Sequence, residues 1–237
     1  MTPMRAALCA ALLLAAGACT KAAGDDKAFD DKVHAYLLAH PEVLLEMQDA
    51  YVAKQVNTEA TQVHSHLAAL KSQIFNDPRD PSVGPKDAKV TVVEFFDYRC
   101  PHCKEAAPDV LALIKDHPEV RFVFKELPIF GPPSQAAAAA AIAAYQQGKY
   151  LDVYRDLMAD HSVDADSIAQ ILAKNGLEPK HTLALAADPK VAAQIADVSR
   201  LASSLGVQGT PGFLVNDQYV SGADIPALKK AIEQQKG

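Results

Sequence analysis

Val90-Thr91-Val92-Val93-Glu94-Phe95-Phe96-Asp97-Tyr98-Arg99-Cys100-Pro101-His102-Cys103 is the stretch that decides the fold. Its first seven residues are mostly apolar, β-branched or aromatic, the composition of a buried strand. The two cysteines follow at once, and residues 108–115 continue as a helix that His117-Pro118 ends. Residues 120–125 read as a second strand. Strand, helix, strand in that order is the βαβ unit of a parallel pair. A Cys-x-x-Cys at its strand-to-helix junction is a place for thiol–disulfide exchange.

Downstream the pattern turns helical. Residues 134–147 are almost all alanine, a strong helix former. Residues 150–159, 164–174 and 189–205 are further helix candidates, separated by His161-Ser162, Asn175-Gly176 and Asp188-Pro189. Residues 212–215 and 218–220 then form a hairpin around Asn216-Asp217, and a last helix covers 225–235. An α/β frame therefore begins, is interrupted by helices over about 134–205, and resumes.

Upstream, Asn76-Asp77-Pro78-Arg79-Asp80-Pro81-Ser82-Val83-Gly84-Pro85 is rich in structure breakers and reads as a linker. Before it, residues 41–75 contain no glycine and no proline after Pro41, which suits a first helical turn. A continuous helix there is roughly 50 Å long at 1.5 Å per residue. Val56, Ala60, Val63, Leu67, Leu70 and Ile74 alternate spacings of four and three, a heptad-like seam. Two uses of that seam are open: self-association of an arm, which is preferred, or packing on the chain's own domain. A shorter helix is expected over 29–39.

The N-terminus has the marks of an export signal. Arg5 precedes an apolar run from Ala6 to Ala16, too short to span a bilayer, and small residues follow. Ala16-Gly17-Ala18 suits ordinary cleavage. The same region, ending in Cys19, is similar to a bacterial lipobox, although Ala16 stands where leucine is usual. Lipidation of Cys19 is preferred, because it removes an odd thiol from an oxidising compartment. The expected division is a signal peptide at 1–18, a tether at 19–28, a helical oligomerisation arm at 29–75, a linker at 76–88 and an α/β domain at 89–237.

The 237 residues carry a formal net charge of -6 and are 49% hydrophobic, enough for a real core and without the basic face that nucleic acid demands. Cys100 sits where a helix N-terminus favours an anion, so its thiolate is the expected nucleophile. Pro101 fits the first turn, and His102 offers a positive charge or a hydrogen bond near the sulfur. Cys103, deeper, is the resolving thiol. Glu94, if buried, has a raised pKa and can exchange a proton with Cys103; the alternative is a strand that turns it to solvent. Thr210-Pro211 directly before a strand is a candidate cis-proline whose Thr210 backbone can pair with an extended peptide. Tyr98 and Arg99 are weaker candidates for client contact. Cys9 and Cys19 lie in the export segment, so no four-ligand zinc site forms around Cys100-Pro101-His102-Cys103. The histidines lack ligand spacing. Neither a cofactor beyond the redox-active Cys100–Cys103 pair nor a structural metal is expected.

The segment from Val93 to Lys104 resembles the active-site strand and helix of DsbA-like thiol:disulfide oxidoreductases. Gly206-Val207-Gln208-Gly209-Thr210-Pro211 resembles their cis-proline loop, and the helical interruption their insertion into a thioredoxin fold. The resemblance implies Cys100 as nucleophile, Cys103 as resolving thiol, His102 as thiolate stabiliser, Glu94 as proton carrier and Pro211 beside the sulfurs. The arm, with His40-Pro41-Glu42-Val43-Leu44, is similar to the ScsC and Com1-type branch, which implies a homo-oligomer, dimer or trimer. The function expected is extracytoplasmic exchange on exported, cysteine-bearing client proteins in a bacterial periplasm, with a membrane redox partner protein. Isomerase or reductase is preferred for an oligomer. A dithiol oxidase and a non-catalytic chaperone or copper-binding module are the alternatives.

Overall fold

The computed structural model describes residues 27–237; the export segment, with Cys9 and the lipidation candidate Cys19, lies outside the described residues. The described residues divide into two compact units, the second of which is Lys54–Gly237. In the first, α1 covers Lys27–Ala39 and α2, which runs over Glu42–Phe75, begins after Pro41. α1 buries no residue, and Phe29, Tyr36, Leu44, Leu45, Met47 and Tyr51 are all more than half exposed.

The second unit is built on a five-stranded sheet. Its strands are β1 (Ser82–Val83), β2 (Thr91–Phe96), β3 (Arg121–Glu126), β4 (Gly212–Val215) and β5 (Gln218–Ser221), in the order β1-β3-β2-β4-β5. β2 and β3 are parallel and the other neighbours antiparallel. The crossover from β2 to β3 is α3 (Pro101–Asp116), as the strand–helix–strand reading expects. The insertion holds α4 (Pro132–Gln146), α5 (Tyr150–Ala159), α6 (Ala165–Lys174), α7 (Pro179–Ala186) and α8 (Pro189–Leu205), and α9 (Ile225–Lys236) follows the hairpin. Of these, α7 was not anticipated. It starts on Pro179, with the Glu178 carboxylate capping the Lys180 and His181 N–H groups.

β2 is buried along almost its whole length because both faces of the sheet are covered. Val92 and Phe96 face a core shared with α3, α4, α5, α6 and α9. Val93 and Phe95 face a second core formed with α8 and the later part of α2, where Val63 and Ile74 are fully buried and Leu67 and Leu70 pack against them. This corrects the expected use of the seam. From Val63 onward it is spent on the chain's own domain, because without it the Val93, Phe95, Val123 and Leu214 side chains would be half bare. The compact unit accordingly starts at Lys54, inside α2, rather than after the linker.

The breaker-rich stretch also does more than connect. It contributes β1, an edge strand on β3. Arg79 bonds Asp197 of α8 at 2.7 Å, and Gln194 donates to the Arg79 carbonyl at 2.8 Å. Lys125, 1% exposed, donates to the Gln73 carbonyl at 2.6 Å and pairs with the buried Asp80. Burial pushes the Asp80 carboxyl up to about 6, against the pull of Lys125.

Candidate active site

Asp97 makes the turn that delivers the cysteines. Its side chain accepts from the Arg99 N–H and the Ser134 hydroxyl on Oδ1, at 2.6 and 2.7 Å. It accepts from the Ile129 and Phe130 N–H groups on Oδ2, at 2.7 and 3.0 Å. One buried side chain thus ties the end of β2 to the loop after β3 and to the start of α4. The Cys100 N–H bonds the Asp97 carbonyl at 3.1 Å, and Cys100 becomes the N-cap of α3 with Pro101 in its first turn. A cap residue leaves the free N–H groups of the first turn pointing at its side chain.

The two sulfurs are driven apart electrostatically. A hydrogen bond with Cys103 is the largest cause holding the Cys100 thiol down to about 5; Thr210 and the Cys103 and His102 N–H groups add to it, against burial. Burial, first, and the bond to Cys100, second, push Cys103 far above the ordinary thiol range. The geometry therefore makes Cys100 the thiolate and keeps Cys103 a thiol. Cys100 is only 3% exposed and Cys103 fully buried, while Pro101 and His102 are exposed.

Thr210–Pro211 is a cis peptide bond, as the sequence suggested. The Thr210 carbonyl accepts from the Cys100 thiol at 3.2 Å. The Thr210 hydroxyl is buried without a hydrogen-bond partner. The carbonyl bond favours the thiol, but ionisation of Cys100 supplies an acceptor for that hydroxyl, which is how the Thr210 side chain favours the thiolate.

Glu94 faces the core, 2% exposed, so the solvent-facing alternative is excluded. Desolvation pushes its carboxyl up to about 8, and the Tyr154 hydroxyl, donating at 3.2 and 3.4 Å, opposes the rise. Its field reaches Cys103. His102 contributes differently from expectation: its ring Nδ1 lies 3.1 Å from Glu105, and its backbone N–H is what reaches Cys100. Tyr98 is 1% exposed, which removes it from client contact. Its hydroxyl donates to Glu126 Oε1 at 3.0 Å, and Tyr150 donates to the same atom at 2.8 Å.

Lys104, next to the resolving cysteine, donates to the Leu157, Met158 and Asp160 carbonyls at 3.1, 3.2 and 2.5 Å. This cation sits at the C-terminal end of α5, where the helix dipole favours positive charge. Lys104→Met is expected to cost about 1–3 kcal/mol in urea unfolding, because a charged donor to three acceptors is lost; an unchanged midpoint would contradict that role.

A family model described as "Thioredoxin" matches residues 76–234. The chain belongs to the thioredoxin family. A second model, "Copper resistance protein ScsC N-terminal domain", matches residues 25–55. Disulfide bond formation protein D of Bacillus subtilis is 30% identical over 169 residues, 65% of this chain and 76% of that protein. Among solved structures, the thiol-disulfide exchange protein α-DsbA2 from Wolbachia pipientis has a TM-score of 0.70 at 30% identity, covering 75% of this chain and 97% of its own. Proteus mirabilis ScsC in a transitional conformation has a TM-score of 0.67 at 28% identity, covering 90% of this chain and 95% of its own. The chain also matches Na(+)/H(+) antiporters NhaA of two Salinispora species at 37% and 36% identity, and spans 25% of the length of each. Within the thioredoxin family, then, the relatives are of the DsbA and ScsC type, as the sequence resemblance implied.

Proposed function

We propose that this protein is an extracytoplasmic thiol:disulfide oxidoreductase that acts on exported proteins through Cys100 and Cys103, working as an isomerase or reductase in oligomeric form. The observation that carries the chemistry is the opposed ionisation of the two sulfurs, Cys100 held down to about 5 beside Thr210 and Cys103 held up by burial.

In the reductive direction the Cys100 thiolate attacks one sulfur of a client disulfide. A Cys100–client disulfide forms, and the other client sulfur leaves as a thiolate. Cys103 then gives up its proton, attacks Cys100 Sγ, forms the Cys100–Cys103 disulfide and releases the client's first sulfur as a thiolate. Glu94, ionised in a fraction of molecules at neutral pH, takes the Cys103 proton. The reverse sequence oxidises a client dithiol, and protonated Glu94 returns the proton to Cys103. Isomerisation stops at the mixed disulfide, when a different client thiolate displaces Cys100.

Two observations bear on direction. The exposed apolar residues of residues 27–53 supply a surface for self-association, and the ScsC N-terminal match lies on the same region. Several sites on one oligomer favour handling of misfolded clients. Against this, a depressed Cys100 pKa stabilises the reduced form and makes the disulfide more oxidising, which supports the dithiol oxidase reading. Localisation in the bacterial periplasm, with an acyl anchor at Cys19, belongs to the same proposal and rests on the N-terminal sequence. A membrane redox partner protein would reset the Cys100–Cys103 pair.

The test compares full-length protein with a chain beginning at Lys54, on a scrambled disulfide substrate and on a reduced one. Truncation has to stop there: removal through Asn76 would strip Val63, Ile74 and Phe75 from the core. The shortened chain is expected to sediment as a monomer, lose refolding of the scrambled substrate and retain oxidation of the reduced one. Unchanged sedimentation and an unchanged ratio of the two activities would sink the oligomeric isomerase reading.

A further inference from the structure

Glu59 lies on α2 and is 7% exposed. Its Oε1 accepts from the Gln208 N–H at 2.9 Å and from the Tyr219 hydroxyl at 2.8 Å, and its Oε2 from the Ser221 hydroxyl at 2.7 Å. A carboxylate in a helix face that covers a sheet is costly unless its acceptor sites are filled. Here three donors fill them, and all three bracket one peptide step.

Gln208 stands two residues before Thr210. Ser221 is the cross-strand partner of Gly212, the residue after Pro211, and Gly222 N–H bonds the Pro211 carbonyl at 2.9 Å. The Tyr219 hydroxyl lies so closely over Gly212 that a Cβ there would come within 2.6 Å of it. The first half of the loop is fixed by α8, through bonds from Gly206 and Val207 N–H to the Ala202 carbonyl, both 3.0 Å. Its second half, which carries Thr210, takes its hold from Glu59 at Gln208 on one side and from Tyr219 and Ser221 on the other.

We infer that Glu59 is a positioning residue for clients: its carboxylate fixes the loop from Gly206 to Pro211 so that the Thr210 backbone meets an extended peptide beside Cys100. The inference rests on the oxidoreductase reading above and names a residue that sets peptide binding in that same site. A helix residue outside the cysteine motif thereby acts on recognition of long substrates more than on the sulfur, whose largest hold is Cys103 and not Thr210. A purely structural clamp between α2 and β5 would instead act on the amount of folded protein, and so on every substrate alike.

The two roles separate by substrate. Glu59→Met keeps the length and removes all three acceptors. Glu59→Gln keeps Oε1 for Gln208 and Tyr219, and its amide donates to Ser221, whose hydroxyl can turn to accept. In full-length protein, Glu59→Met is expected to raise KM for a disulfide-bearing peptide about ten-fold while kcat changes less than about two-fold, because uniform binding is lost. Exchange with a small disulfide such as oxidised mercaptoethanol, too short to pair with Thr210, should change less than about two-fold. Glu59→Gln should restore the peptide KM. If Glu59→Met does not fold, Tyr219→Phe removes one clamp and should raise the peptide KM about three-fold on the same scale. Equal losses on peptide and small disulfide, or an unchanged peptide KM, would overturn the inference while leaving the oxidoreductase reading intact. A wild-type chain inert toward both substrates would overturn that reading itself.

Discussion

Cys100→Ala should reduce catalysed exchange to background, a loss of about a thousand-fold or more, as removal of a covalent nucleophile does. Cys103→Ala should behave differently. It keeps the attacking thiolate and loses the group that resolves the mixed disulfide, so covalent complexes with client accumulate and can be trapped by acid quench. The asymmetry follows from the two environments. Cys100 caps α3 beside Thr210, and Cys103 is the largest cause holding its thiol down, whereas Cys103 is buried behind it. Alkylation of Cys100 should titrate with a midpoint near 5, against an ordinary thiol value near 8.5. The linkage sign is definite. A depressed thiol binds fewer protons folded than unfolded, so it adds stability to the reduced form that is complete above the unfolded value and is lost as pH falls through about 5. The oxidised form has no such dependence. The gap between reduced and oxidised stability should therefore widen from pH 5 to pH 9. A midpoint near 8.5, or full activity in Cys100→Ala, would remove the basis of the proposed mechanism.

The residues proposed for this chemistry were legible because they are local. A strand pattern, a Cys-x-x-Cys at its end and a proline before a later strand need only sequence distance, and they located Cys100, Cys103, Glu94 and Pro211. The helices of the insertion were legible from alanine content and breakers, apart from α7, whose start the neighbouring Asn175-Gly176 and prolines concealed. What stayed hidden depends on long-range pairing. Asp97 stood in the motif, but its bonds to Ile129, Phe130 and Ser134 cross more than 30 positions. Tyr154 joins the insertion to Glu94 on β2, and Lys104 joins the active-site helix to the insertion. Glu59 meets partners about 150 positions away and looked like one more charge on a polar helix. The seam on α2 was misassigned for a related reason. Its period states that a face is buried, and both a second copy and the chain's own sheet satisfy that.

Glu94→Gln should separate the proton carrier from the redox pair. At neutral pH the variant is expected to turn over about a hundred-fold more slowly, in the range lost when a general acid–base is removed. The attack of Cys100 should be spared, so mixed disulfides accumulate as they do in Cys103→Ala. Stability should move the other way. The Glu94 carboxyl is raised from 4.5 to about 8 in the folded chain by desolvation, and the Tyr154 hydrogen bond recovers only part of that cost. Between those values the folded state holds a proton the unfolded state has released. The Glu94 contribution to stability must therefore fall as pH rises from about 4.5 through about 8, and level off above. Glutamine never ionises and still accepts from Tyr154. Reduced Glu94→Gln should thus match wild type at pH 4.5 and exceed it by a few kcal/mol, on the order of the linkage, at pH 8.5. Because Cys100 is present in both chains, its own titration cancels in the difference. Urea unfolding at several pH values measures it directly. A difference independent of pH would mean that Glu94 is not held protonated by its burial, and the proton would then have to reach Cys103 from solvent.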